Sequence, residues 1–292
     1  MCDDDICQDP DSALAPSESG LSRRAFGLSA AAIAAFGVTH AHAAETTVEK
    51  SVDIKTADGV CDAALFHPAG RGKWPAVLIW TDNQGLRPVF RDLGKRLAAQ
   101  GYVVLVPNPF YRSRRAPVPG DGFDFAKPED RAKITALSAT LTPDGAERDA
   151  VALLAFLDAQ PQTNKRKKAG VQGYCMGGHL TFRTAAALPE RIGAAMTFHG
   201  GGLVTDAPTS PHLLVPRMKA EVHVAVAKND DARAPDAKDK LKAAFEAAKL
   251  PASVELYPAN HGWCVPGNGS YDEAAAERAW AELSALYKKR LA

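Results

Sequence analysis

Excess charge, cysteine and long apolar runs are all scarce in this sequence, and each scarcity removes a class of protein. Lysine plus arginine nearly balance aspartate plus glutamate, 35 against 34, for a formal net charge of +1. Such a chain carries no general field for nucleic acid or an anionic membrane. The basic run KRKK at residues 165–168 reads as a solvated loop. Of five cysteines, Cys2 and Cys7 stand near the N-terminus, leaving Cys61, Cys175 and Cys264. With no C-x-x-C pair and no zinc-ligand spacing, neither a disulfide framework nor a structural metal is expected. The apolar stretch SAAAIAAFGV is about half of the roughly 20 residues that a membrane-spanning helix needs. No internal repeat is visible, and 46% hydrophobic with 24% charged residues is an ordinary globular composition.

Against that plain background one segment stands out. Cys175 is the centre of GYCMGG, with Gly173 two residues before it and Gly177 two after. Glycines at those positions permit the sharp turn that lifts a nucleophile clear of a sheet, usually a serine and here a cysteine. The preceding KAGVQGY reads as a short buried strand and the following GGHLTFRTAAAL as a packed helix. A helix starting just after Cys175 points amide groups and its positive end at the sulfur, which favours the thiolate.

The N-terminal segment differs in kind. An acidic lead gives way to Ser22, Arg23, Arg24 and Phe26, then the apolar stretch, then Ala41-His42-Ala43. Paired arginines ahead of a short apolar stretch closed by an A-x-A site describe an export signal, and this pair resembles the twin-arginine type that exports folded proteins. The expectation is cleavage after Ala43, with residues 1–43 read by the twin-arginine export machinery. Residues 44–292 would then form a single periplasmic or secreted domain without a stable membrane anchor, a monomer or weak dimer. His40 and His42 belong to the signal and are not candidate metal ligands.

From Glu45 onward strand-like and helix-like runs alternate. VEKSVDIKT and CDAALFHP read as a hairpin; PAVLIWT, YVVLVP, the elbow strand, IGAAMTFHG, VHVAVA and SVELYP follow as strands. Helices are predicted over FRDLGKRLAAQG, 143–160, after the elbow, over 234–249 and over 272–291. Alternating β and α with doubly buried strands implies a mostly parallel sheet with helices on both faces, the α/β-hydrolase fold class. Active residues then gather on loops at the carboxyl ends of strands. Those loops offer Asp82 after PAVLIW, Asp230 and Asp231 after VHVAVA, and His261 after SVELYP. The order Cys175, Asp230, His261 is nucleophile, acid, histidine. His261 is the expected base for the thiol, and Asp230, with Asp231 in reserve, is the expected carboxylate orienting it. The backbone amides of Met176 and Asn83 are the expected oxyanion donors. His199, in FHGGG at a strand end, either lines the pocket or is a hydrogen-bonded loop histidine, the commoner case, and Cys61 reads as hairpin core. Trp263 either walls the pocket or covers core. Cys264, three residues after His261, is a candidate partner for an inactivating disulfide with Cys175.

The segments GYCMGG, LAAQGYVVLVPNPFYR, HGWCVPG and YDEAAAERAW together resemble the dienelactone hydrolase family, over most of the chain from about Val52. The resemblance implies a cofactor-free and metal-free hydrolase of a small lactone or ester, with Cys175, Asp230 and His261 as its triad and a cysteine acyl-enzyme. It places Asp82 where the family has a glutamate that holds the resting thiol. It also implies that an arginine of YRSRRAP, Arg114 with Arg112 in reserve, binds a substrate carboxylate, while Val265 stands where a second arginine would be. A broad carboxylesterase or thioesterase, or a non-catalytic ligand-binding protein of the same fold, are the alternative functions.

Overall fold

The run Ala76-Val77-Leu78-Ile79-Trp80 has no polar side, so a strand made of it must be covered on both faces. In the computed structural model, which describes residues 47–118, 123 and 127–292, it forms β3 (Ala76–Trp80), buried throughout. Around it lie β1 (Thr47–Thr56), β2 (Gly59–Pro68), β4 (Val103–Pro107), β5 (Ala169–Tyr174), β6 (Ile192–Phe198), β7 (Glu221–Ala227) and β8 (Ala252–Tyr257). The strands form one 8-stranded sheet in the order β1-β2-β4-β3-β5-β6-β7-β8. β1 pairs antiparallel with β2, and β2 with β4; every pairing from β4 to β8 is parallel.

Alternation along the strands divides the core in two. Leu78 and Trp80, with Leu105 and Val171, face Leu153 and Leu157 of α3 (Pro143–Ala159), Leu180 and Phe182 of α4 (Gly177–Ala187), and Phe245 of α6 (Ala237–Ala247). Val77 and Ile79, with Val104, Tyr174 and Phe198, face Phe90 and Leu97 of α1 (Pro88–Ala98) and Leu283 and Leu286 of α7 (Glu273–Leu291). Each fully buried leucine or phenylalanine in these layers contributes about 1.5–3 kcal/mol. This is the expected α/β-hydrolase arrangement, and it brings the carboxyl ends of β3, β5, β6, β7 and β8 to one edge.

The structure adds three elements that the sequence pattern does not reveal. Helix α2 (Pro128–Ser138) buries only Asp130 and Ile134, so no apolar stripe announces it. A 3-10 helix covers Pro211–Arg217. Helix α5 (Lys228–Arg233) turns the expected KNDDARAP loop into a short helix with no buried residue, so the predicted 234–249 helix begins later, as α6. Among the described residues no helix is long and apolar enough to cross a membrane. The expected export signal, residues 1–43, lies outside the described residues.

Candidate active site

At the end of β5 the chain must reverse into α4 within two residues, and the two glycines make this possible. A Cβ on Gly173 would lie 2.1 Å from the Gly177 carbonyl oxygen, and one on Gly177 would lie 2.6 Å from the Trp80 carbonyl oxygen. Between them Cys175 takes a φ of 52°, a left-handed conformation that is costly for a residue with a side chain. The surrounding bonds hold it there: the Cys175 N–H donates to the Phe198 carbonyl at 3.0 Å, and its own carbonyl accepts from Gly178 N–H at 3.0 Å. The sulfur is thus lifted from the sheet, half-buried, ahead of the first turn of α4.

The loop after β8 carries His261 and is tied down on both sides. Lys228 N–H donates to the Ala259 carbonyl at 2.9 Å, and Asn229 Oδ1 accepts from His261 N–H at 2.8 Å, which fixes the loop to the start of α5. At its far end Asp272, the N-cap of α7, donates its N–H to the Trp263 carbonyl at 3.1 Å. His261 Nδ1 meets Asp230 Oδ2 at 2.5 Å, and the ring lines the same cavity as Cys175 and feels its charge. Burial works against charge on this imidazole, but the hydrogen bonds and negative charges of Asp230 and Cys175 outweigh it and push the ring up to about 10. The reserve aspartate is turned elsewhere: Asp231 Oδ1 accepts from Lys238 Nζ at 2.7 Å.

Asp82, Asn83, Gln84, Cys175, His199, His261 and a glycine-rich stretch containing Gly262, Gly267, Asn268 and Gly269 line a cavity of about 470 Å³. Neither the Asn83 nor the Met176 backbone N–H has a partner among the described residues, so both are available as the expected donors. Among the described residues no group of three or more histidine, cysteine, aspartate or glutamate side chains could hold a metal ion.

His199 lines the cavity and, among the described residues, lacks the hydrogen bonds of an ordinary loop histidine. It too has a positive φ, 41°, and its N–H donates to the Ala225 carbonyl at 2.8 Å. Its ring is 1% exposed, lies 4.7 Å from the His261 ring and 5.1 Å from Trp263, and finds no hydrogen-bond partner for either nitrogen among the described residues. Burial, reinforced by the His261 charge, holds its pKa well below the usual imidazole value, so it is neutral.

Four other expectations are corrected, and the two readings of Trp263 are decided. Both carboxylate oxygens of Asp82 are taken by Arg87, at 2.5 and 2.7 Å, and Oδ1 also accepts from Gln84 N–H at 3.0 Å. Its carboxylate therefore organises the loop and is not presented to the sulfur. Arg112 is held by Asp149, at 2.7 and 2.9 Å, and by Asp58 at 2.6 Å, so its fork is filled. Arg114 is exposed and is not among the cavity residues. Trp263 covers core: it is fully buried, stacks on Tyr257 at 5.0 Å, and stands behind His199. Cys264 is buried in the α1/α7 layer, whereas Cys175 packs against the opposite layer, so the two thiols are not disulfide partners; all three described cysteines are free. Residues missed from the sequence are Arg87, Gln84, Asn229 and Asn268. The glycines around Asn268, in the loop that carries His261, were the available signal for a cavity wall.

With this geometry in view, comparison with known proteins is informative. The profile of the dienelactone hydrolase family matches residues 61–291. A provisionally named carboxymethylenebutenolidase from Synechocystis is 24% identical over 231 residues, 78% of this chain and 91% of that one. Carboxymethylenebutenolidase 1 of Cupriavidus pinatubonensis is 26% identical over 217 residues, 73% of this chain and 87% of that one. Among solved structures, a provisionally named dienelactone hydrolase from Klebsiella pneumoniae superposes with a TM-score of 0.74 at 21% identity, covering 84% of this chain and 99% of its own. The residues that form the elbow, the histidine loop and the sheet edge beneath them all fall inside the matched span, and the chain belongs to the dienelactone hydrolase family.

Proposed function

We propose that this protein hydrolyses a carboxylic ester or lactone through a Cys175–His261–Asp230 triad and a cysteine acyl-enzyme. The observation that carries the reading is Asp230 Oδ2 on the His261 ring at 2.5 Å, with that ring and Cys175 lining one cavity. His261 takes the thiol proton, and the Cys175 sulfur attacks the carbonyl carbon. An S–C bond forms and the carbonyl electron pair moves to oxygen, where the Met176 and Asn83 N–H groups meet the negative charge. Collapse of this intermediate breaks the bond to the alkoxy oxygen, which leaves with the proton from His261. In the second half His261 removes a proton from water, hydroxide attacks the thioester carbon, and the S–C bond breaks to release the acid and restore the sulfur. Asp230 holds the ring in the required tautomer and stabilises its charge throughout.

Hydrolysis of activated esters and simple lactones by the protein and its Cys175→Ala variant tests this. Loss of about 10³-fold or more in kcat/KM is expected for the variant, together with mass-detected acylation of Cys175 in the parent protein. Equal rates for the two would sink the proposal. We further propose export through the segment around Arg23 and Arg24, supported by its small-residue A-x-A site at residues 41–43. N-terminal sequencing of the protein from a cell envelope fraction should then begin at Ala44, and an intact Met1 would overturn it.

A further inference from the structure

The cavity over Cys175 is lined by several polar side chains, yet it is not basic. Apart from His261, whose charge is balanced by Asp230 and Cys175, no lining side chain is cationic among the described residues. The nearest guanidinium in sequence, Arg87, has both terminal nitrogens on the two oxygens of Asp82, at 2.5 and 2.7 Å, which leaves no fork open to a second carboxylate. Arg112 is consumed by Asp149 and Asp58, and Arg114 stands outside the lining. A carboxylate brought into this cavity would lose hydration beside an Asp82–Arg87 pair already closed on itself, and would find no free guanidinium or ammonium among the described lining residues.

What the walls do present is amide. The side chains of Asn83 and Gln84 have no hydrogen-bond partner among the described residues. Asn268 is oriented: its Oδ1 accepts from Ser270 N–H at 2.9 Å, which leaves its NH2 end as the group offered. That side chain lies directly over Gly262, where an added Cβ would come within 2.6 Å of Nδ2, so the donor sits beside His261. An uncharged NH2 matches a carbonyl, ether or hydroxyl oxygen.

We propose that the cavity selects neutral, oxygen-bearing acyl groups, with Asn268 and Gln84 as hydrogen-bonding specificity residues, and that the Asp82–Arg87 pair discriminates against acyl groups ending in a carboxylate. This rests on the ester-hydrolase reading above and narrows its substrate class to uncharged esters and lactones.

The test compares mono-4-nitrophenyl adipate with the 4-nitrophenyl ester of adipamic acid, near-isosteric esters that differ in a terminal carboxylate or carboxamide. The carboxamide ester should have a kcat/KM about tenfold higher or more in the wild-type protein. Asp82→Asn, which releases Arg87, should narrow that ratio to about threefold or less, through a gain on the carboxylated ester. Asn268→Asp keeps the acceptor for Ser270 but replaces the donor with negative charge, and should widen the ratio. A wild-type ratio near one, or a preference for the carboxylate, overturns the proposal. If neither ester is turned over above Cys175→Ala, the hydrolase reading fails separately. The selectivity is then read from alkylation of Cys175 by N-ethylmaleimide and N-(2-carboxyethyl)maleimide, each rate divided by that of glutathione. A neutral preference of about tenfold supports the proposal and equal normalised rates overturn it.

Discussion

Two loops at the carboxyl edge of the sheet each present a histidine to one cavity, and their surroundings give the same ring opposite properties. His261, after β8, has an aspartate at 2.5 Å on one nitrogen and the charge of Cys175 in the same cavity, and holds its proton up to about 10. His199, after β6, lies 4.7 Å away, is sealed from solvent, has neither nitrogen satisfied among the described residues, and gives its proton up far more readily than a free imidazole. Partners rather than burial decide which ring can carry charge, since both are desolvated. A second positive ring at that distance would weaken the first, so the neutrality of His199 protects the charge on His261.

The contrast can be broken in several ways. The largest effect should come from His261→Ala, with kcat/KM falling about 10³-fold or more as the only charged ring is lost. Asp230→Asn removes the partner that raises the ring and should cost about 10²–10⁴-fold in kcat, with no matching change in KM. Asp231→Asn, whose partner is Lys238, should stay within about threefold, and steady-state kinetics on both variants decides which aspartate serves the ring. His199→Phe keeps a neutral ring in the same place and should reduce kcat by about tenfold or less. A loss as large as that of His261→Ala would show instead that His199 moves protons. The smallest effect concerns pH and stability. The folded pKa of His199 is lowered, so below the ordinary value of 6.5 the unfolded chain takes up a proton that the folded one refuses, and stability falls as the pH drops. His261 has the opposite sign: its raised pKa contributes stability in full below 6.5 and loses it as pH climbs toward 10. Thermal unfolding of His199→Phe should therefore decline less between pH 7 and pH 5 than that of the parent protein.

Much of this arrangement could be read from sequence because it depends on local rules. The Gly173 and Gly177 spacing, the unbroken apolar strands and the order of Cys175, Asp230 and His261 all follow from neighbours in the chain. What could not be read depends on distant partners. Arg112 looks free for a substrate until Asp58 and Asp149, 54 and 37 residues away, close around it. Trp263 follows His261 by two residues, yet its stacking partner Tyr257 belongs to the strand beneath. Helix α2 has no apolar stripe, and α5 is too short to show one. The Asp82–Arg87 pair is the exception, since five residues separate the two and an aspartate with a nearby arginine in a tight turn is a recognisable local pair.

The burial of Cys61 and Cys264 governs how the Cys175 thiol meets an oxidant. Cys61 is sealed in the hairpin and Cys264 in the α1/α7 layer, so among the described residues Cys175 has no resolving thiol. A sulfenic acid formed there finds no cysteine among the described residues to capture it as a disulfide. It must be reduced by a small thiol that fits the cavity or pass on to the irreversible sulfinic state, so the working lifetime of the protein is set by the reductants around it.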